Sequence, residues 1–228
     1  MKIAYAFRRT TVYPYTAGFY GPAGWGLPDE PGLTTFLKKI NEIGFDGIEL
    51  GFEVFGGYGA TESSAKELQK RLLDSGAPCV AIRAGGVLCT PVVGEQNRDR
   101  LFKSIEIAGW LGIDIVNSAL SGPPRNKTLG DNTPGKPIQQ GSSQLASYQD
   151  FERTASILHE AGERAGGAGL EVTVEVHQLS IADTSTSTLK LLEMANSDHV
   201  FANPDLGNIL WHYDEPEESS EDAIVALA

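Results

Sequence analysis

Short runs of β-branched and aromatic residues alternate along this chain with longer segments in which apolar residues recur at helical spacing. The short runs lie at 2–7, 46–51, 79–83, 113–118, 171–177 and 200–203. Helical patterns lie at 33–43, 61–76, about 96–111, 148–165 and 184–195, and a last one runs from 219 or 220 to 228. Repeated strand–helix units predict a parallel sheet covered by helices, so the expected fold class is α/β.

This order of elements favours a TIM, or (β/α)8, barrel. About six strand–helix units are present, and the final residues, 221–228, end inside a helical pattern. We therefore expect a single domain over residues 1–228 that is an incomplete barrel, with its last two strands missing. An open α/β sheet is the alternative. A doubly wound nucleotide-binding fold is disfavoured, because no glycine-rich turn follows the first strand.

Composition restricts the function classes. The chain has 18 Lys and Arg against 30 Asp and Glu, a net charge of -12 that opposes binding to nucleic acid or to anionic membranes. Its two cysteines, Cys79 and Cys89, form neither a disulfide framework nor a zinc-binding motif. The amino-terminal residues do not resemble a signal peptide, and no apolar run reaches membrane-spanning length. We expect a soluble cytoplasmic protein that acts on a small molecule.

The strongest functional signal is the segment 171–177, Glu-Val-Thr-Val-Glu-Val-His. Alternation along a strand places Thr173, Glu175 and His177 on one face. The next strand, within 200–205, ends with a second acid, Asp205. Polar side chains at the end of a buried strand are costly to desolvate unless a divalent metal or a polar substrate compensates. These residues predict a functional site at the carboxyl edge of the sheet.

Four segments together resemble the xylose isomerase-like TIM-barrel superfamily of sugar isomerases and epimerases. They are Phe-Asp-Gly-Ile-Glu-Leu-Gly at 45–51, Val-Glu-Val-His at 174–177, Ala-Asp-Thr at 182–184 and Asn-Pro-Asp-Leu-Gly-Asn at 203–208. The resemblance covers nearly the whole chain. It implies a divalent metal, Mn²⁺, Mg²⁺, Co²⁺ or Zn²⁺, with Glu175 and Asp205 as two of four ligands; the other two, a histidine and a glutamate, would lie beyond Ala228.

The resemblance also implies an activity. It predicts a metal-dependent isomerase or epimerase of a sugar or sugar-like polyol, with Glu175 as one of two glutamates that transfer a proton next to a carbonyl while the metal stabilises the enediolate. Asn208 stands where many members carry a histidine, so the exact reaction stays open. The missing strands favour another class of function, a non-catalytic truncated barrel or sugar-binding module. An endonuclease for abasic DNA is opposed by the negative charge and by only four histidines.

Further candidate substrate contacts are His177, Asn208, Asn117, Glu49 and His212. Glu49 shares a strand face with two glycines, and either a substrate contact or a salt bridge inside the barrel fits that position. Asn117 lies near a strand end, as does Arg83, and His212 follows the sixth strand.

Structural alternatives accompany the two acids. Glu175 is also placed to be a buried acid paired with a barrel arginine, and Asp205 to cap a turn. The loop at about 120–143, rich in Gly, Pro, Asn, Ser and Gln, is either a lid over the substrate or a surface insertion. The sequence leaves the oligomeric state open, with a homo-oligomer among the alternatives.

Overall fold

A computed structural model describes residues 3–6, 31–123, 142–211 and 218–228. It contains a six-stranded parallel sheet whose strands follow one another in chain order. The strands are β1 (Ala4–Ala6), β2 (Gly47–Gly51), β3 (Cys79–Val87), β4 (Ile115–Ser121), β5 (Glu171–Glu175) and β6 (Val200–Asn203). Within the described ranges β1 and β6 each pair on one side only, so the sheet is not closed there. The predicted α/β class with six strand–helix units is confirmed.

Helices connect the strands. They are α1 (Gly32–Ile43), α2 (Glu62–Asp74), α3 (Val93–Leu111), α4 (Tyr148–Ala168), α5 (Ser185–Ala195), α6 (Leu206–Trp211) and α7 (Ser220–Leu227). Four of them begin with a capping box. In each, the hydroxyl of the cap residue accepts a hydrogen bond from the backbone N–H three residues later, and the side chain of that later residue accepts one from the backbone N–H of the cap. The caps are Thr61, Ser147, Thr184 and Ser219. Short 3-10 helices occupy Phe52–Phe55, Gly57–Gly59 and Ser143–Leu145.

The hydrophobic core lies between the sheet and the helices. Fully buried strand residues include Ile48, Ile82 and Val172, and they belong to one cluster with Ile40 of α1 and Leu158 of α4. A buried aliphatic side chain of this kind contributes about 1.5–3 kcal/mol relative to an exposed one. Because side chains alternate along a strand, the other face of the sheet collects the polar residues of β2 to β5.

Several element ends differ from the sequence-based predictions. β5 ends at Glu175, so His177 lies in the segment that follows the strand. β3 continues to Val87, since Gly85 and Gly86 stay paired with β4 at positive φ angles that apolar patterning does not reveal. The short helix α6 was not predicted. The middle of the possible lid, 124–141, and His212 lie outside the described residues.

In the described part of the chain, no helix is both long and apolar enough to cross a bilayer.

Candidate functional site

Strand register aligns polar residues of three neighbouring strands. Arg83 of β3 pairs with Asn117 of β4, and Asn117 pairs with Thr173 of β5. One step further along β5, on the same face, Glu175 pairs with Asn203 of β6. Parallel strands in register carry these side chains to one face of the sheet. Glu175 and Asn203 end their strands, at the side where barrel enzymes place their functional groups, whereas Arg83 and Asn117 are each followed by four further strand residues.

Arg83 lies between two glutamates. Its Nη1 is 3.1 Å from Oε1 of Glu49, and its Nη2 is 3.0 Å from Oε2 of Glu175. The exposed fractions of the three side chains are 17% for Arg83, 12% for Glu49 and 2% for Glu175. The structural alternative considered for Glu175, a buried acid paired with a barrel arginine, therefore describes its contacts, and Glu49 shares the same arginine.

Asn117 connects the same two glutamates a second time. Its Nδ2 donates to Oε2 of Glu175 at 2.9 Å and to Oε2 of Glu49 at 3.3 Å. Its Oδ1 accepts from Oγ1 of Thr173 at 3.2 Å and from Nδ2 of Asn203 at 3.1 Å. We call Glu49, Arg83, Asn117, Thr173, Glu175 and Asn203 the polar network. Because both ends of the Asn117 amide are engaged, its orientation and that of the two carboxylates are fixed together.

A cleft of about 280 Å³ opens beside the polar network. Arg83 reaches it from the network, and His177 reaches it from the segment after β5. Its remaining lining residues are Gly51, Glu53, Ala84, Gly85, Gly86, Arg100, Ala119, Leu120 and Ser121. The cleft thus joins charged side chains to a wall made largely of backbone and small side chains.

Gly85 and Gly86 form part of that wall, at two positions that require glycine. Their φ angles are +114° and +116°, in the region that side chains with a Cβ rarely adopt. A Cβ on Gly85 would lie 2.2 Å from the carbonyl oxygen of Ala119, and one on Gly86 would lie 2.8 Å from the side chain of Asn97. Gly85 therefore allows the close approach of β3 to β4 at the cleft, and Gly86 leaves room for the side chain of Asn97 in α3.

The ring of His177 is oriented by its own segment. Its Nδ1 lies 2.7 Å from the carbonyl oxygen of Gln178, and its backbone N–H donates to the carbonyl oxygen of Ala182 at 3.0 Å. A ring nitrogen beside a carbonyl carries the proton, which leaves Nε2 as the acceptor in the neutral imidazole. His177 lines the cleft, so it lies where a substrate contact was predicted, although it is no longer on the strand.

Two cleft residues were missed by sequence reasoning, Glu53 and Arg100. Nη2 of Arg100 is 2.5 Å from Oε1 of Glu53, and its guanidinium carbon lies 5.3 Å from the ring centre of Phe52. Glu53 belongs to a 3-10 helix after β2, and Arg100 to α3. Neither lies at a strand end, so the alternation that identified the other candidates gives no signal for them.

Asp205 and Asn208 lie at the start of α6. Oδ1 of Asp205 accepts from the backbone N–H of Gly207 at 3.0 Å and of Asn208 at 3.3 Å. Nδ2 of Asn208 lies 3.4 Å from Oε1 of Glu175 and 3.3 Å from the carbonyl oxygen of Val176. Asp205 therefore makes the contacts of a turn cap, and Asn208 connects this turn to Glu175.

The described residues do not by themselves fit a divalent-metal site. Across the ranges that the structure describes, no three His, Cys, Asp or Glu side chains come together in a way that could hold a metal ion. Both oxygens of Glu175 have donors, from Arg83, Asn117 and Asn208, and Oδ1 of Asp205 has two. Metal ligation by Glu175 and Asp205 thus stays a prediction from the sequence.

The other histidines lie away from the cleft or outside the residues that the structure describes. His159 contacts the carbonyl oxygen of Ala195 at 2.8 Å, between α4 and the end of α5. His199 packs against Gly166 of α4 just before β6. His212, predicted as a substrate contact, lies in the segment 212–217 that the structure does not describe.

A parallel sheet with outer helices and a polar cleft at the carboxyl end of its strands defines a protein of the TIM-barrel class. The family model described as a xylose isomerase-like TIM barrel matches residues 22–227. The chain belongs to that family, which confirms the resemblance seen in the sequence. No curated protein sequence matches the chain.

Solved structures of the same architecture are similar over the whole chain. A xylose isomerase-like TIM barrel protein from Mycobacterium smegmatis, in complex with magnesium, is 20% identical with a TM-score of 0.70, over 99% of this chain and 71% of that one. A probable 3-DHS dehydratase, AsbF, from Bacillus anthracis is 18% identical with a TM-score of 0.64, over 100% and 69%. A D-psicose 3-epimerase, solved in the presence of D-fructose, is 15% identical with a TM-score of 0.68, over 100% and 70%. At these identities the likeness establishes the fold alone.

Proposed function

We propose that this protein is an isomerase or epimerase of a sugar or sugar-like polyol, which acts by proton transfer at a carbon next to a carbonyl. The observation that carries the proposal is the cleft in which Arg83 and His177 meet beside the buried carboxylate of Glu175. The family of the chain supports it, since a D-psicose 3-epimerase and an L-ribulose 3-epimerase are among the similar structures.

The cleft offers partners of both kinds for hydroxyl groups. Arg83 and Arg100 are donors, the Glu53 carboxylate is an acceptor, and His177 and Ser121 provide either. A sugar hydroxyl donates one hydrogen bond and accepts others, so a mixed lining suits it better than a lining of one charge sign. The volume of about 280 Å³ lies near the lower end of small-molecule pockets, roughly 300–1,000 Å³, and suits a monosaccharide.

The reaction needs a base and positive charge beside the oxygen. In this proposal the Glu175 carboxylate takes the proton from the carbon next to the carbonyl, and the electrons of the broken C–H bond move to give an enediolate. The Arg83 guanidinium donates to the enediolate oxygens, where it stabilises the developing charge. In an isomerisation, Glu175 returns the proton to the former carbonyl carbon, and a proton passes from the hydroxyl on the other carbon to the former carbonyl oxygen. In an epimerisation, His177 with its imidazole protonated delivers a different proton to the opposite face of the same carbon, after which solvent reprotonates His177 and takes the proton from Glu175.

A divalent metal, when bound, would supply further positive charge beside those oxygens. Glu175 and Asp205 are the two carboxylates that the sequence predicts for it. The proton transfer proposed for Glu175, Arg83 and His177 uses only side chains of the chain, since the described residues do not complete a metal site.

Exchange of a substrate proton with solvent tests the proposal. We expect the protein, incubated in D₂O with D-psicose, D-fructose, D-tagatose or L-ribulose, to introduce deuterium next to the carbonyl of at least one sugar, as seen by NMR. Glu175→Gln should slow the exchange by about 10² or more. Glu171→Gln, an exposed glutamate at the start of the same strand, is the matched control and should keep the rate.

A different outcome supports the other class of function. Sugar binding detected by calorimetry, with no exchange for any of the four sugars in the presence or absence of Mn²⁺ or Mg²⁺, would contradict the enzymatic proposal and favour a sugar-binding module.

A further inference from the structure

Arg83 fills the place between Glu49 and Glu175 that a bound cation would take. We propose that Arg83 is a built-in counter-cation that holds both carboxylates and so keeps Glu175 from binding a divalent metal while the pair is intact. The inference concerns the cation partner of Glu175 and does not depend on the proposed reaction.

The guanidinium is divided between the two acids. Nη1 of Arg83 faces Glu49 at 3.1 Å, while Nη2 faces Glu175 at 3.0 Å to one oxygen and 3.3 Å to the other. A guanidinium presents its donors in a fixed planar fork, whereas an ammonium is a single point of charge. One arginine is therefore able to hold two carboxylates apart and oriented at the same time.

Asn117 keeps the two carboxylates close enough to share one cation. Its Nδ2 bonds to Oε2 of Glu175 and to Oε2 of Glu49, so each carboxylate is held within hydrogen-bond distance of the same nitrogen. Two nearby carboxylates are the oxygen ligands that Mg²⁺, Mn²⁺ and Ca²⁺ prefer. Arg83 and such an ion cannot occupy the space between Glu49 and Glu175 together.

Burial makes the counter-cation necessary. Glu175 is 2% exposed and Glu49 is 12% exposed, so water screens their mutual repulsion poorly. Loss of one partner from a buried ion pair is strongly destabilising, because the remaining charge stays without compensation. Without Arg83, the two carboxylates should therefore bind another cation in the space between Glu49 and Glu175.

Substitution of Arg83, followed by restoration of stability with a metal ion, tests the inference. We expect Arg83→Met to lower the Tm of the full chain by about 10 °C in EDTA. Millimolar Mn²⁺ should restore about half of that loss, and electron paramagnetic resonance should count a bound Mn²⁺ in the variant. The wild-type Tm and that of Arg83→Lys, which keeps a positive charge, should respond to Mn²⁺ far less.

Two control variants separate this site from general binding to an acidic protein. Adding Glu49→Gln to Arg83→Met should abolish both the bound Mn²⁺ and the rescue. Arg98→Met is the matched surface control, because Arg98 also lies between two acids, Glu95 and Asp99, but with 34% of its side chain exposed. It should show little loss of Tm and no rescue, since an exposed ion pair contributes little.

The wild-type protein provides a test that does not need a folded Arg83→Met. Calorimetric titration with Mn²⁺ should give the same affinity for the wild type and for Glu175→Gln. A clear loss of Mn²⁺ affinity in Glu175→Gln would overturn the inference, as would an Arg83→Met variant that folds and gains neither bound Mn²⁺ nor stability. Failure of the sugar exchange test would leave these measurements unaffected.

Discussion

Nδ2 of Asn117 lies 2.9 Å from Oε2 of Glu175, so that an uncharged amide on β4 directly supports the buried acid on β5. The same amide accepts hydrogen bonds through its oxygen and also donates to Glu49. The position of Glu175 beside the cleft thus depends on a neighbour that has no charge and is itself buried.

Asn117→Leu keeps a similar volume and removes every one of these bonds. We expect the free energy of unfolding in urea to fall by about 2–4 kcal/mol, because several buried polar partners lose their hydrogen bonds at once. Thr173→Val, which removes a single hydroxyl donor from the same network, should cost about 1 kcal/mol. Equal losses for the two variants would contradict the central position of Asn117.

We expect substitutions of Asp205 to change the stability of the protein as substitutions of a helix cap do. Oδ1 accepts two backbone N–H groups at the start of α6, and asparagine retains such an acceptor. Asp205→Asn should therefore stay within about 0.5 kcal/mol of the wild type in urea unfolding, whereas Asp205→Ala should lose about 1 kcal/mol. Elemental analysis provides the contrasting outcome, since less bound metal in Asp205→Asn would favour the metal-ligand role predicted from the sequence.

The sequence predicts the strand order and one face of the site because both follow from periodic patterns. Alternation in 171–177 places Thr173 and Glu175 together, and both belong to the polar network. The last helix was predicted to begin at 219 or 220, and the structure places the cap of α7 at Ser219. Local chemistry was sufficient in these cases.

The ion-pair partners of the site residues could not be predicted from periodic patterns. Arg83 and Glu175 are separated by 92 residues, and only the register of β3, β4 and β5 brings them together. Alternation allowed Glu49 either a substrate contact or a salt bridge, and the structure shows the salt bridge. Glu53 and Arg100 enter the cleft from helices, where strand alternation has no predictive value.

Burial changes the chemistry of Cys79. It raises the pKa of this thiol from 9.0 to about 12. In a Cys89→Ala background, we expect reaction with Ellman's reagent at pH 8 to be at least about 10²-fold slower in the folded protein than in urea. A rate equal to that in urea would contradict the burial.

The same shift predicts a loss of stability at high pH. The folded pKa of Cys79 lies above the unfolded one, so the stabilising effect of the neutral thiol is fully present below pH 9.0 and is lost as the pH rises toward about 12. Unfolding in urea at pH 8 and pH 10.5 measures it. The difference between the wild type and Cys79→Ala should narrow at the higher pH, because other groups that titrate there affect both proteins equally.

The wall of the cleft should tolerate no side chain at Gly85. Gly85→Ala places a Cβ 2.2 Å from the carbonyl oxygen of Ala119 and forces alanine to a φ of +114°, so β3 and β4 must separate. We expect a loss of several kcal/mol in the free energy of urea unfolding. Gly167→Ala in α4 is the matched control, because its added Cβ meets nothing within 4 Å. It should gain about 0.5–1 kcal/mol, since alanine favours a helix over glycine. Equal effects of the two substitutions would show that the close approach at the cleft does not exist.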